Sequence, residues 1–370
     1  MFSLLALGEI GSHILILRKT RSYSEELCNL VRETGARNVV ITALYEPYLV
    51  QRDEIIIKNL EKLNVQCHQY HSYLLHRPDQ VLVNGVGFRG MGSVLHFLDC
   101  CKTNPGDPIG KPIDKPKNLP APQSWPKSHT LDELQLNKMP RRKDGSIIDW
   151  AKEMRESWEA GEEAGYTNLM EFINVNLQYY EQESARSDQK WTAVISPYVH
   201  FGELSPRTIL HEGHGKSKKF RRKLAWRDLS YWLLYLFPDM DRVSIRPPYE
   251  KQRWNYSKTD LKAWQKGYTG FPLVDAAMRQ LWRVGWINNY MRHVVASFLI
   301  SYLHITWVEG YNWFQDTLLD ADVAINAMMW QNGGMSGIDH WNFVMHPVDA
   351  AHTCDPNGDY VRKWVGILFF

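Results

Sequence analysis

Leu318-Leu319-Asp320-Ala321-Asp322-Val323-Ala324-Ile325-Asn326-Ala327-Met328-Met329-Trp330-Gln331-Asn332-Gly333-Gly334 is the stretch on which the reading of this chain turns. Asp322, Asn326 and Trp330 stand at i, i+4 and i+8, so on a helix they line one narrow face. The residues between them include Val323, Ala324, Ile325, Ala327, Met328 and Met329, so polar groups are set into an apolar segment. A carboxylate and an amide there are costly unless something buried pairs with them. Two acids, one amide and one Trp suit a flat aromatic ligand with polar edges. A purely structural reading competes: Asp320 as helix N-cap, Asp322 in the first turn and Trp330 in the core. A calcium loop opening at Asp320 is excluded, because its sixth position is Ile325 instead of Gly and its twelfth is Gln331 instead of Glu.

Working outward, the chain has 370 residues, enough for two domains and a large core. A formal charge of +2 sets up no global field that dictates a partner. Of fifteen Trp, more than half run from Trp226 to Trp330, a density that suits an aromatic core or a site that stacks flat ligands. Five Cys (Cys28, Cys67, Cys100, Cys101, Cys354) without a C-x-x-C point to reduced thiols. No run approaches the ~18 apolar residues of a membrane span, and Met1–Ile10 lacks a signal peptide's basic region. The expectation is a soluble protein of the cytoplasm or nucleus, with a chloroplast location left open and no membrane partner.

Ile14–Leu17, Val39–Thr42 and Val65–Tyr70 read as strands, separated by helices over Ser22–Thr34, closed by Gly35, and Pro47–Leu63. Strand–helix alternation predicts right-handed crossovers and a parallel sheet, incomplete with three strands. Gly85-x-Gly87-x-x-Gly90 has dinucleotide-fingerprint spacing, but the seven prolines of Pro105–Pro126 fill the place of the required second strand. Those glycines therefore read as a turn. The organisation expected is an α/β domain over 1–101, a Pro-rich linker over 102–148 and a large all-α domain over 149–370. Its helices are expected at Ile148–Tyr180, Pro206–Leu210, Phe220–Phe237, Leu261–Trp264, Pro272–Trp282, Trp286–Leu303, Trp313–Asp320 and Val323–Met329. His211-Glu212-Gly213-His214 lacks the spacing of a zinc helix and reads as a loop. The six cations of Gly215–Lys223 read as a solvated face, a phosphate-facing rim or a nuclear-import signal.

Several ordered segments together resemble the cryptochrome/DNA photolyase family. They are Trp158-x-x-Gly161-Glu162 leading to Ala164, Thr192-x-x-Ile195-Ser196-Pro197-Tyr198 with Phe201-Gly202-x-Leu204-Ser205-Pro206-Arg207, and Trp226-Arg227-Asp228. Most specific are Gly270-Phe271-Pro272-Leu273-Val274-Asp275-Ala276-Ala277-Met278-Arg279-Gln280-Leu281, then Gly285-Trp286, and Asp320-x-Asp322-x-x-x-Asn326-x-x-x-Trp330-Gln331. The resemblance runs from about Trp150 to Val365 and more loosely over the N-terminal part.

It implies an N-terminal α/β antenna domain and a C-terminal helical domain that binds FAD. Tyr180 and the loop Thr192, Ala193, Val194, Ile195 and Ser196 would face the flavin phosphates and ribityl chain. Arg227, Asn289, Arg292, Asp320 and Asp322 match further flavin-contacting positions, with Arg292 and Asp320 paired. Asn326 matches the residue beside flavin N5, where an amide can accept a hydrogen bond when N5 is protonated. Trp330, Trp307 and Trp254 match the family's electron relay.

At the positions that face damaged DNA the sequence departs from the repairing members. Lys223 replaces a Glu, Asn332 a sandwiching Trp, and His293 a Met; Tyr290 replaces an Arg, while Trp226 is retained. Of the two histidines typical of (6-4) repair, Asn289 replaces one and His293 remains. The absent Arg-Arg and Asp-Leu-Arg opening strand and the ending at Phe370 suggest truncation at both ends. They argue against a second antenna chromophore of folate or deazaflavin type. The function expected is an FAD blue-light photoreceptor with a signalling partner the residues do not name. The alternatives are a light-driven DNA photolyase of pyrimidine lesions and a truncated module without photochemistry. DNA binding is expected to be weak and salt-sensitive.

Overall fold

The computed structural model describes residues 22–366 except 82–92, 104–108, 115, 120–123, 131, 137, 214–215 and 338–343. The proposed strand Ile14–Leu17 and the glycines Gly85, Gly87 and Gly90 lie outside the described residues. Near the N-terminus, α1 (Tyr23–Thr34), β1 (Asn38–Thr42), α2 (Pro47–Glu61) and β2 (Gln66–Tyr70) follow one another. Ser22 caps α1 by accepting from the Glu25 N–H, and Gly35 closes it at φ 64°, where only a residue without Cβ sits free of strain. β1 and β2 pair in parallel, Asn38 against Gln66 through Thr42 against Tyr70. Cys28, Val31, Ile56, Leu60 and Val65 bury the face between sheet and helices.

Beyond α3 (Val94–Thr103) the described part of 109–148 holds a single 3-10 turn, Asp132–Leu134, and one isolated bridge between Arg141 and Ile147. The chain then becomes helical: α4 (Lys152–Ser157), α5 (Glu162–Glu171), a π-turn Phe172–Asn176, α6 (Leu177–Glu183), α7 (Ser196–His200) and α8 (Pro206–Glu212). α9 (Lys218–Leu236), α10 (Lys258–Lys266), α11 (Pro272–Val284), α12 (Asn289–Ser297), α13 (Trp307–Thr317), α14 (Val323–Gly333), α15 (Pro347–Cys354) and α16 (Asp359–Val365) complete it. Among the described residues no helix is long and apolar enough to cross a membrane.

Four expectations are corrected. The helix expected over Ile148–Tyr180 is broken after Ser157, because the Trp158 indole donates to the Val284 carbonyl (2.8 Å) and Gly161 takes φ 118°. His211 and Glu212 end α8 instead of lying in a loop. The helix expected at Trp313–Asp320 begins at Trp307, capped by Thr306, and ends at Thr317. The N-cap before Val323 is Asp322, which accepts from the Ile325 N–H at 2.9 Å, not Asp320. Asp320 is instead drawn away by Arg292, as described below.

The Gly270–Leu281 motif is structural. Pro272 sits in the first turn of α11, and buried Asp275 accepts from the Thr269 and Gly270 N–H groups and the Thr269 hydroxyl, closing the turn before the helix. α11 carries Val274, Ala276, Ala277, Met278 and Leu281 into the main core. α13 and α14 approach closely because Gly310 on α13 faces Trp330, and Gly334, capping the end of α14, faces Trp307. A Cβ on Gly310 would lie 2.2 Å from the Trp330 ring, and one on Gly334 would lie 2.7 Å from Trp307.

Candidate flavin site

A cavity of about 640 Å³ opens where α9, α12 and α14 meet the Thr192–Ser196 loop. That is the size range of pockets for cofactors and drug-sized ligands. Asp322, Asn326 and Trp330 all line it, as their shared helical face requires. So do Tyr180, Thr192, Ala193, Val194, Ile195, Ser196, Arg227, Asn289, Arg292 and Asp320, and also Lys223, Trp226, His293 and Asn332. Of the residues singled out at the site in the sequence, Trp307, Trp254 and Tyr290 stand outside its lining. Trp307 is 3% exposed, and Trp254 is half-buried against the core, nearer solvent.

The polar groups are held in fixed orientations. Arg292 Nη2 donates to both Asp320 oxygens, at 2.7 and 3.0 Å, and its Nε donates to the Ile287 carbonyl at 3.0 Å. Asn326 donates its amide N–H groups to the Tyr311 carbonyl and Gln315 Oε1, both at 3.1 Å. Because the Tyr311 oxygen can only accept, the amide nitrogen is settled and Asn326 Oδ1 keeps its lone pairs for the cavity. Neither Tyr311 nor Gln315 was signalled by sequence, since partners of this kind are set by helix packing.

Arg227 is 6% exposed, and its Nη2 is buried without a hydrogen-bond partner. Its Nη1 donates to the Tyr73 carbonyl, and its guanidinium lies 3.9 Å from the Tyr73 ring centre. Burial opposes the Arg227 charge, but Tyr73, Asp322, Tyr231 and Asp228 outweigh it and hold the guanidinium above its ordinary pKa. A buried, unspent donor beside a cavity calls for an acceptor from a ligand, such as a flavin carbonyl. Val194, a β-branched residue at φ 48°, adds backbone strain on the loop facing it, on the order of 1–3 kcal/mol. Neighbouring Asp228 accepts from the Leu75 and His76 N–H groups and pairs with the His76 ring at 2.9 Å, so α9 also grips the α/β part.

Two titratable groups of the lining are displaced from their ordinary pKa. Burial, then the charges of Lys219, Arg292 and Arg222, lowers Lys223 to about 8, although the residue as a whole is exposed. Burial first, then Lys223 and Arg292, pushes His293 down to about 3, so its imidazole is neutral at pH 7. Because the folded value lies below the unfolded one near 6.5, the unfolded chain binds the extra proton between those values. Stability from neutral His293 is therefore present above pH 6.5 and lost as pH falls toward 3. Replacing His293 with Met is expected to flatten the acid limb of thermal stability between pH 4 and 7; an unchanged slope would contradict this.

Comparisons with known proteins agree with this geometry. The pattern for the FAD binding domain of DNA photolyase matches residues 220–368, and that for DNA photolyase matches 6–94. A deoxyribodipyrimidine photo-lyase of Agrobacterium fabrum is 34% identical over 350 residues, covering 92% of this chain and 71% of that protein. This chain belongs to the cryptochrome/photolyase family. Cryptochrome-1 of Sinapis alba is 28% identical over 378 residues, covering 97% of this chain and 74% of that one. The crystal structure of a bacterial class III photolyase from Agrobacterium tumefaciens superposes with a TM-score of 0.89 at 32% identity, over 98% of this chain and 74% of that one. The helical part is accordingly a photolyase-type FAD-binding domain, and the N-terminal α/β part is of the photolyase type. The cofactor is FAD.

Proposed function

We propose that this family member is a blue-light photoreceptor whose flavin is photoreduced through Trp330, Trp307 and Trp254. The observation that carries the reading is the make-up of the cavity lining. It keeps Arg292–Asp320, Asp322, Asn326 and Trp330 together, but carries Lys223 and Asn332 where residues that recognise damaged DNA would stand. FAD supplies light absorption and the electron acceptor. Trp330, in the cavity lining, would be the donor nearest the flavin, with buried Trp307 and half-buried Trp254 behind it toward solvent. Asn326, its amide N–H groups already spent on Tyr311 and Gln315, would offer Oδ1 as an acceptor to the bound flavin ring. Arg227 Nη2 and the Thr192–Ser196 loop would hold the polar groups of the cofactor.

A second reading, a DNA photolyase, is favoured by the likeness to the Agrobacterium photo-lyase and the class III photolyase structure. Against it stand Lys223, a cation where an acid would hydrogen-bond a flipped dimer, and Asn332, where a stacking wall would add roughly 1–3 kcal/mol. The cations around Lys216–Lys223 still attract phosphates, so DNA binding that fades with added salt is expected. Photoreduced protein is incubated under blue light with duplex and single-stranded DNA carrying cyclobutane dimers, and the dimers are counted. Little reversal and little preference for damaged duplex is the expected result. Catalytic turnover on either substrate overturns the photoreceptor reading in favour of repair.

A further inference from the structure

Tyr73 lies just beyond β2, and it is the one residue N-terminal to Tyr180 among the described residues that line the flavin cavity. It touches two charged groups of the lining, Asp322 and Arg227. Its hydroxyl donates to Asp322 Oδ2 at 3.3 Å, beside the Tyr231 hydroxyl, which donates to the same oxygen at 2.9 Å. Its ring lies 3.9 Å under the Arg227 guanidinium, and its carbonyl accepts from Arg227 Nη1. The Tyr73 and Tyr231 rings meet edge to face, 5.5 Å apart. Burial first, then Asp322, raises the Tyr73 pKa, so its hydroxyl keeps the proton it donates.

Two consequences follow from this geometry. With Nη1 consumed by Tyr73 and the guanidinium plane set by the ring, Arg227 Nη2 has its direction fixed. With Oδ2 held by two tyrosines and Oδ1 by the Ile325 N–H, Asp322 is locked as well. We infer that Tyr73 is a positioning residue for the flavin, supplied by the α/β part to a site otherwise built from residues of the helical part. Flavin affinity and the docking of the 71–81 segment onto α9 are then linked, and each strengthens the other. This inference rests on the FAD reading of the cavity.

The test titrates FAD into flavin-free full-length protein and follows flavin fluorescence, for the parent, Tyr73→Phe and Tyr73→Ala. Melting temperatures of the flavin-free forms and absorption spectra of the loaded forms are recorded alongside. Tyr73→Phe keeps the ring and the carbonyl but loses the hydroxyl, and is expected to bind FAD about tenfold more weakly at an unchanged flavin-free melting temperature. Tyr73→Ala also frees Arg227, and is expected to weaken binding further and shift the blue absorption band, with phenylalanine restoring the band. Parental affinity and spectrum in both variants, or an affinity loss that merely tracks a lower flavin-free melting temperature, overturns the inference alone. A parent protein that binds no FAD overturns the reading beneath it.

Discussion

Replacing Arg292 with Ala is expected to strip the protein of FAD and to lower its stability by about 3–5 kcal/mol. The magnitude follows from burial. The Asp320 side chain is 5% exposed, and Arg292 meets it with Nη2 on both oxygens. Without the guanidinium the carboxylate has lost its ion-pair partner inside the protein, and its desolvation is no longer offset. The same change removes a cavity-lining group and frees the Ile287 carbonyl. Arg292→Lys should fall between, since an ammonium cannot span both oxygens and that carbonyl in the same planar arrangement. Flavin content per protein, read from the visible and ultraviolet absorption, and the thermal midpoint decide the matter. Full flavin occupancy at the parental midpoint would refute the assignment.

Trp330→Phe should leave FAD bound and slow its photoreduction at least about a hundredfold, equivalent to about 2.7 kcal/mol on the barrier. Phenylalanine is far harder to oxidise than tryptophan, yet it fills most of the same apolar volume. Trp330 is also a packing residue, edge-on to Phe314 at 5.0 Å and to Trp264 at 6.2 Å, and seated over Gly310. Some stability is therefore lost with the indole, on the order of 1–3 kcal/mol. Trp264→Phe is the packing control, because Trp264 is wholly buried and donates to the Val295 carbonyl. It should destabilise the protein without slowing the photochemistry. Blue-light bleaching of the flavin band under anaerobic conditions with a reductant reads the rate. Equal rates in Trp330→Phe and parent would leave Trp330 as core alone.

Local chemistry was legible in the amino-acid sequence wherever it acts over a few residues. Ser22 and Gly35 bracket α1, Pro272 opens α11, and alternating strands and helices predicted the parallel pair β1–β2. The spacing of Asp322, Asn326 and Trp330 already placed them on one face, because helical geometry depends on sequence separation alone. Resemblance supplied the partners that spacing cannot, such as Arg292 for Asp320. Tertiary structure decided the rest. The break after Ser157 comes from an indole reaching a carbonyl 126 positions away, and the lock on Asp322 from a tyrosine 249 positions away. Gly310 and Gly334 became the seats of Trp330 and Trp307 only once α13 and α14 crossed. No period in the chain encodes such pairs. They form because buried donors, carboxylates and rings must find complements inside the fold, wherever in the sequence those complements lie.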